Sequence, residues 1–313
     1  MTSTRTRTRI VIDTDPGVDD ALAILMATSR PDVRVEAITT VAGNVGIERT
    51  TTNAGAILDV AGVDAPIHRG ASGPFIGRAI VAESVHGTDG LGDAGRSTTT
   101  RRPSEQLAAV ALVEMARRDP GQLTLVALGP LTNLALATRL DPTVTEHFAE
   151  LIVMGGAVRA TGNSSAVAEF NIHADPEAAT IVLQEWPRVT LVTWEATLAS
   201  ALPGDLIAGS PANGPRADFY RAVSEHADRY LRDVLGTSDL LVPDPLAMAV
   251  ALDRSIVTRA TDRHVHVELQ GALTRGQTVV DWNVTPGPGE TSVRIVEQVD
   301  VDRLAAMVLE AIA

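Results

Sequence analysis

Asp13, Asp15, Asp19 and Asp20 place four carboxylates within eight residues, in the segment Val11-Ile12-Asp13-Thr14-Asp15-Pro16-Gly17-Val18-Asp19-Asp20-Ala21-Leu22. Apolar runs bracket the acidic group on both sides. Like charges at such range repel by about several kcal/mol unless they are solvated, protonated or bound to a cation. A hard divalent cation held by oxygen ligands resolves that conflict. Asp before Pro is also an ordinary start for a helix, and Asp15-Pro16, Asp141-Pro142, Asp175-Pro176 and Asp244-Pro245 all fit it. Capping uses one carboxylate and leaves the crowding of the other three unexplained.

The elements that must position this cluster follow from hydrophobic patterning. Strands are expected at Arg9–Asp13, Val33–Thr40, Leu123–Ala127, Leu151–Met154 and Val189–Val192. Helical patterns lie between them at Asp20–Thr28, Arg49–Ala61, Glu105–Arg118 and Pro176–Gln184, and a last helix at Val301–Ile312 closes the chain. Continuous apolar strands separated by helices predict an α/β fold: a single domain over residues 1–313, with an open, mostly parallel, Rossmann-like sheet and helices on both faces. His264–Leu269 alternates and is expected to pair antiparallel, as an edge, with Thr278–Asp281; His264 and His266 share one face and read as surface or packing residues. Ala71–Ala94 and Leu202–Pro215 read as loops, the second leading into a polar helical stretch to about Leu235. In open α/β sheets, loops beyond the carboxyl ends of the strands carry the chemistry.

Composition removes several classes of function. The chain has 313 residues, 45 % of them hydrophobic, enough for a substantial core. It has no cysteine, which excludes disulfides, thiolate nucleophiles and Cys-based zinc sites. All 26 basic residues are arginine, so Schiff-base and P-loop lysine chemistry is absent too. A formal net charge of −13 disfavours nucleic acid and anionic membranes as partners. No apolar run reaches the roughly 20 residues of a membrane helix. After the basic stretch Met1–Arg9, the run Ile10-Val11-Ile12 is too short for a signal peptide, and a cytoplasmic location is expected.

The segment Asp13–Ala21 resembles the signature of the inosine–uridine-preferring nucleoside hydrolase family. Further resemblance lies in Ile38–Asn44, His86–Gly92, Gly129–Asn133, Val153–Gly156, Ala168–Asn171, Asp175–Ala179, Asp244-Pro245 and Thr274–Thr278, in the family's order and over nearly the whole chain. The resemblance implies the nucleoside hydrolase type of sheet, a nucleoside substrate and a homodimer or homotetramer. It implies a Ca²⁺ cofactor held by Asp15, Asp20, Asp244 and the main-chain carbonyl of Leu128, with Asp15 also the general base toward water. Asp19 and Asn171 would hold the ribose 2′ and 3′ hydroxyls, Asn163 and Glu169 would reach the 5′-hydroxyl, and Asn44 and Met154 would line the ribose pocket. An oxocarbenium-like state at the sugar suits such a ring of carboxylate and amide oxygens. All-oxygen ligands favour calcium over zinc. Taken alone, Glu169 and Asn171 would share one side of an extended segment and could equally stabilise a loop, and Asn163 after Gly162 could be a turn residue.

The pattern departs at one place. Family members carry a histidine immediately before the late calcium-binding aspartate, where this chain has Pro243. Proline has no proton and no N–H to offer a departing base. Base preference is therefore expected to differ from that of the inosine–uridine enzymes. Trp194, just past a strand end, is expected to stack on a purine; His86 is a second candidate acid, and Tyr230 a third. Two rival readings remain. One is a non-catalytic nucleoside- or ribose-binding protein on the same scaffold. The other is a haloacid-dehalogenase-like phosphatase, which Asp13-Thr14-Asp15 resembles but which normally uses a lysine.

Overall fold

Ile10, Val11 and Ile12 are fully buried, although only two of them can share a face of a strand. In the computed structural model, which describes residues 7–159, 161–287 and 292–313, the reason is a sheet covered on both sides. Ile10 and Ile12 join Ile38, Val126, Ile152 and Val192 in one core layer. Val11 joins Leu125, Leu151, Val153 and Leu191 in the other. Residues 1–6 of the basic N-terminal stretch lie outside the described residues.

The chain runs β1 (Thr8–Thr14), α1 (Val18–Ser29), β2 (Val33–Thr40), α2 (Ile47–Ala61) and β3 (Ile67–Arg69), then α3 (Glu83–His86) and α4 (Ala108–Arg118). Next come β4 (Leu123–Ala127), α5 (Thr132–Leu140), α6 (Val144–His147), β5 (Glu150–Met154), α7 (Phe170–Ala174) and α8 (Pro176–Glu185). β6 (Val189–Val192), α9 (Trp194–Ala199), α10 (Pro215–Asp233) and α11 (Pro243–Leu252) follow. The chain closes with β7 (Val257–Arg263), β8 (Val265–Val267), β9 (Thr278–Val280), β10 (Val293–Val299) and α12 (Val301–Ile312).

Eight strands form the sheet in the order β3-β2-β1-β4-β5-β6-β10-β7. All pairs are parallel except β10 with β7. The chain leaves β1 toward β2 and β3, then returns to β1's other side with β4. That reversal opens a crevice at the carboxyl ends of β1 and β4, the usual ligand position in such sheets. α1, which follows β1, packs against α11 and α12.

Several expectations need correction. β8 and β9 pair antiparallel, but as a separate two-stranded sheet; the antiparallel edge of the main sheet is β7. The helix expected from Glu105 begins at Ala108, because Ser104 bridges to His68 and donates its N–H to the Ile67 carbonyl. Of the four Asp-Pro pairs, only Asp175 is a helix cap, accepting from Ala178 N at 3.1 Å. Asp141 ends α5 and folds a turn by accepting from Thr143, while Asp15 precedes Gly17, the N-cap of α1, and Asp244 lies inside the first turn of α11.

Arg216, at the start of α10, ties three helix ends together. Its guanidinium donates to the carbonyls of Leu25 (3.1 Å) and Thr28 (3.3 Å) in α1, Ala61 (2.9 Å) in α2 and Ala311 (3.4 Å) in α12. A cation among the unsatisfied carbonyls of helix C-termini also complements their dipoles. Among the described residues, no helix is long and apolar enough to cross a membrane.

Candidate active site

The four N-terminal carboxylates divide, Asp13 turning to a structural role and the other three toward the crevice. Asp13 Oδ2 accepts from Thr39 Oγ1 at 2.5 Å and Asn133 Nδ2 at 2.9 Å, which ties β1 to β2 and α5. Asn133 also reaches the Thr40 carbonyl, and its Oδ1 takes the Ala71 N–H, so Asp13 anchors the base of the loop after β3. The other three converge on the crevice. Asp20, in the first turn of α1, accepts from Gly17 N at 2.8 Å, from Asn44 Nδ2 at 3.0 Å and from the Thr14 hydroxyl. Asp15 Oδ2 accepts from Asn44 N at 2.7 Å.

Asp244 arrives from α11, where Pro243 occupies the first helical position, a place that suits a residue without N–H. Asp19, Asp20 and Asp244 each offer an oxygen within 4.8 Å of the others. Asp15 stands beside this group, in electrostatic contact with Asp20 and Asp19. Burial, and then mutual repulsion, hold Asp15 and Asp244 well above the ordinary carboxylate range. Burial raises Asp19 to about 6, and burial with the Asp19 charge raises Asp20 to about 6. Asp15 Oδ1 and Asp19 Oδ1 are buried and have no hydrogen-bond partner among the described residues.

The loop expected at Ala71–Ala94 contains α3 and brings His86 over this group. His86 Nδ1 accepts the Val18 N–H at 3.1 Å and lies 3.8 Å from Asp19 Oδ1. The pair is not an ion pair, because burial lowers the imidazole to about 4. With Nδ1 an acceptor, the neutral ring carries its proton on Nε2.

The wall past β5 holds the remaining candidates. Asn171, in α7, donates through Nδ2 to the carbonyls of Leu128 (2.8 Å) and Met154 (3.2 Å), which orients its Oδ1 away from them. The Leu128 carbonyl therefore already has one partner and keeps a second lone pair. Glu169 is not in an extended segment with Asn171; it is the N-cap of α7, accepting from Asn171 N, Ile172 N and Gly156 N at 3.0, 3.2 and 2.9 Å. Asn163 is exposed, and its Oδ1 accepts from Phe170 N at 2.8 Å. Trp194 is half-buried at the start of α9, with its main-chain N–H donating to the Gly156 carbonyl. Met154 ends β5, and its Sδ lies 3.4 Å from Asn171 Nδ2.

The chain as a whole is matched in known proteins. The family model described as inosine-uridine preferring nucleoside hydrolase matches residues 10–306. The chain belongs to that family. An inosine-uridine preferring nucleoside hydrolase of Leishmania major is 37 % identical over 97 % of both chains. One from Crithidia fasciculata is 35 % identical, again over 97 % of both. The solved structure of an inosine-guanosine nucleoside hydrolase superposes with a TM-score of 0.90 at 34 % identity, covering 97 % of this chain and 98 % of that one.

Within this nucleoside hydrolase, sequence patterning does not single out Thr14, Asn133 or Tyr220. Thr14 and Asn133 are buried hydrogen-bonding residues that orient Asp20 and Asp13. Tyr220 is 2 % exposed on α10, and the Asp19, Asp228 and Asp244 charges act on its phenol. Its spacing with Ala217, Val223 and Ser224 marks an inward face of α10 but no role for the hydroxyl. Tyr230, the tyrosine singled out from sequence, is only half-buried on the same helix.

Proposed function

We propose that the chain hydrolyses the N-glycosidic bond of ribonucleosides in a calcium-dependent reaction, releasing ribose and a free base. The observation that carries this reading is the pair of buried oxygens with no partner among the described residues, Asp15 Oδ1 and Asp19 Oδ1, beside Asp20 and Asp244. The donors fit the ion: they are hard oxygens, and ligands about 2.3–2.6 Å from one cation lie at most ~5 Å apart, matching the 4.8 Å grouping. Asp15, Asp20, Asp244 and the Leu128 carbonyl would hold it. When bound, the ion supplies positive charge that makes water more acidic and grips a vicinal diol.

The protein groups do the rest. Asp15 Oδ1 accepts the proton of the attacking water as the new C–O bond forms at the anomeric carbon. The C–N bonding pair leaves with the base. Asn44 fixes Asp15 by its main-chain N–H and Asp20 by its side chain, so neither carboxylate must reorganise. Asp19 Oδ1 and Asn171 Oδ1 accept from the ribose 2′ and 3′ hydroxyls, which holds the sugar for attack. Met154 lines the ribose pocket. Glu169 and Asn163 shape the 5′ side; their oxygens already take backbone N–H groups and accept the 5′-hydroxyl through remaining lone pairs.

Base preference departs from that of the inosine–uridine enzymes. Pro243 opens α11 and offers the base no donor. Trp194 supplies a stacking surface, and His86 a neutral Nε2–H donor.

The test is a reducing-sugar assay over purine and pyrimidine nucleosides, with and without a calcium chelator. Chelation abolishes ribose release, and Asp15→Asn loses most turnover while keeping part of its ribose affinity. Near-normal turnover in Asp15→Asn would refute the mechanism. Saturable binding without ribose release would return the chain to the binding-protein reading.

A further inference from the structure

His86 stands on a segment too short to hold itself in place. α3 has four residues, and an isolated turn of helix is not stable in water. Its leading end is tied to the site, because Ala82 N donates to the Asn44 carbonyl at 2.9 Å. Beyond His86 the chain turns back through Gly87–Gly92. Gly92 N donates to the His86 carbonyl at 2.7 Å, and Asp89 Oδ1 accepts from Leu91 N at 2.7 Å and Asp93 N at 3.0 Å. These bonds shape the turn without reaching the loop that carries Asp15.

Asn53 makes that connection. It is fully buried on α2. Its Nδ2 donates at 2.9 Å to the carbonyl of Pro16, which follows Asp15, and at 2.9 Å to the carbonyl of Asp89, in the turn after His86. Carbonyls only accept, so both protons on the amide nitrogen are committed and the amide has one orientation. The Ser97 hydroxyl donates to the other end, Oδ1, at 2.5 Å. Gly90 admits this close approach: its φ is +82°, and a β-carbon on it would lie 2.7 Å from Asn53 Nδ2. On its far side the turn meets α10, where a β-carbon on Gly92 would lie 2.3 Å from the Val223 carbonyl oxygen. The turn is thus gripped between α2 and α10, and the α2 side ties it to the carboxylate loop.

We propose that Asn53 is a positioning residue for base departure: its amide latches the turn after His86 to the Pro16 carbonyl and so keeps the imidazole in place to donate to the leaving base. This rests on the reading of His86 as a donor in a ribohydrolase. The latch complements the bond from Val18 N to His86 Nδ1, which sets the rotation of the ring. Without the amide, two buried carbonyls each lose a partner and the turn is released from the carboxylate loop.

The experiment is a double-mutant cycle on ribose release from the best nucleoside of the panel, in the presence of calcium, with Asn53→Leu, His86→Ala and the double variant. Leucine keeps the side-chain volume and removes the amide. In the wild-type background Asn53→Leu lowers kcat by ~10-fold; in the His86→Ala background it lowers kcat by less than ~2-fold. Hydrogen exchange reports the latch itself: amides of residues 87–93 exchange ~10-fold faster in Asn53→Leu, while those of β4 and β5 are unchanged. Ser97→Ala keeps both Nδ2 donors and loosens only the far end of the amide. It runs through the same cycle if the leucine variant fails to fold, with a fall of about 3-fold that again disappears with His86→Ala. Equal falls in the two backgrounds, or unchanged exchange in the turn, would overturn the proposal. Full turnover in His86→Ala would remove the donor role and this inference, and leave the ribohydrolase reading standing. A wild-type protein that releases no ribose would overturn that reading itself, and this inference with it.

Discussion

Gly129 stands so close to Asp15 that a β-carbon on it would lie 2.4 Å from Oδ1, the oxygen with no partner among the described residues. Gly43 presses on the other side, where a β-carbon would lie 2.0 Å from Oδ2. The carboxylate thus sits in a slot between the turns that follow β2 and β4, pinned by the Asn44 N–H. Gly129→Ala must push Oδ1 out of place. A shift of about 1 Å in a reacting group costs on the order of 100-fold in rate, and that fall in kcat is expected with the fold retained by circular dichroism. Gly46→Ala is the matching control, since nothing lies within 4 Å of its added carbon. Full activity in Gly129→Ala would show that Asp15 tolerates displacement.

Proton competition should make calcium's effect on stability depend on pH. Burial, and for Asp20 also the Asp19 charge, holds Asp19 and Asp20 at about 6, whereas the unfolded chain ionises them near 3.8. Between those values the folded, metal-free protein binds more protons than the unfolded chain, so its stability falls as pH rises through that window. Calcium needs the ionised carboxylates, so its affinity climbs over the same range. The gain in Tm on adding calcium is therefore small near about pH 5 and larger near about pH 7.5. Scanning calorimetry at both values checks this; an equal gain at the two would contradict it.

Trp194 should separate purines from pyrimidines. Aromatic stacking contributes about 0.5–1.5 kcal/mol beyond burial, so Trp194→Ala lowers kcat/KM on purine nucleosides by up to ~10-fold and on pyrimidines by less. Steady-state kinetics on the two classes decide the matter. Intact purine turnover in the variant would remove the stacking role.

Arg216 should contribute to stability without touching the chemistry. Its four bonds to helix-terminal carbonyls include no active-site residue. Arg216→Met loses charged hydrogen bonds and is expected to destabilise by about 2–3 kcal/mol in urea unfolding. Arg216→Lys recovers part of this through charge but cannot span all three helices. Wild-type stability in Arg216→Met would show that the bonds add nothing net.

The parallel core was legible because β1, β4, β5 and β6 carry near-continuous apolar runs and β2 is buried and largely β-branched over Ala37–Thr40, the pattern that two-sided burial demands. β10 was not, since Arg294, Glu297 and Gln298 interrupt its apolar residues at a sheet margin with a register shift. β7 is mostly exposed or half-buried and carries no core signal at all. At the site, the crowding of Asp15, Asp19 and Asp20 could be read directly. The diversion of Asp13 toward Thr39 and Asn133 could not, because it depends on which way a strand end faces. The extended segment expected at Glu169 and Asn171 failed for a related reason: a five-residue helix capped by Glu169 leaves too short a pattern to be told from a strand in sequence.

The carboxylate group at the crevice draws Asp15, Asp19 and Asp20 from just past the first strand and from the first turn of α1, and Asp244 from a helix near the far end of the chain. A polypeptide emerging from the ribosome makes the first three long before the fourth. Until α11 docks, the early acids face one another with an incomplete set of ligands, and their repulsion opposes closure of β1 against its neighbours. Assembly of the last quarter of the chain thereby completes the cluster, so a chain halted partway through synthesis lacks one of the carboxylates on which the proposed centre depends.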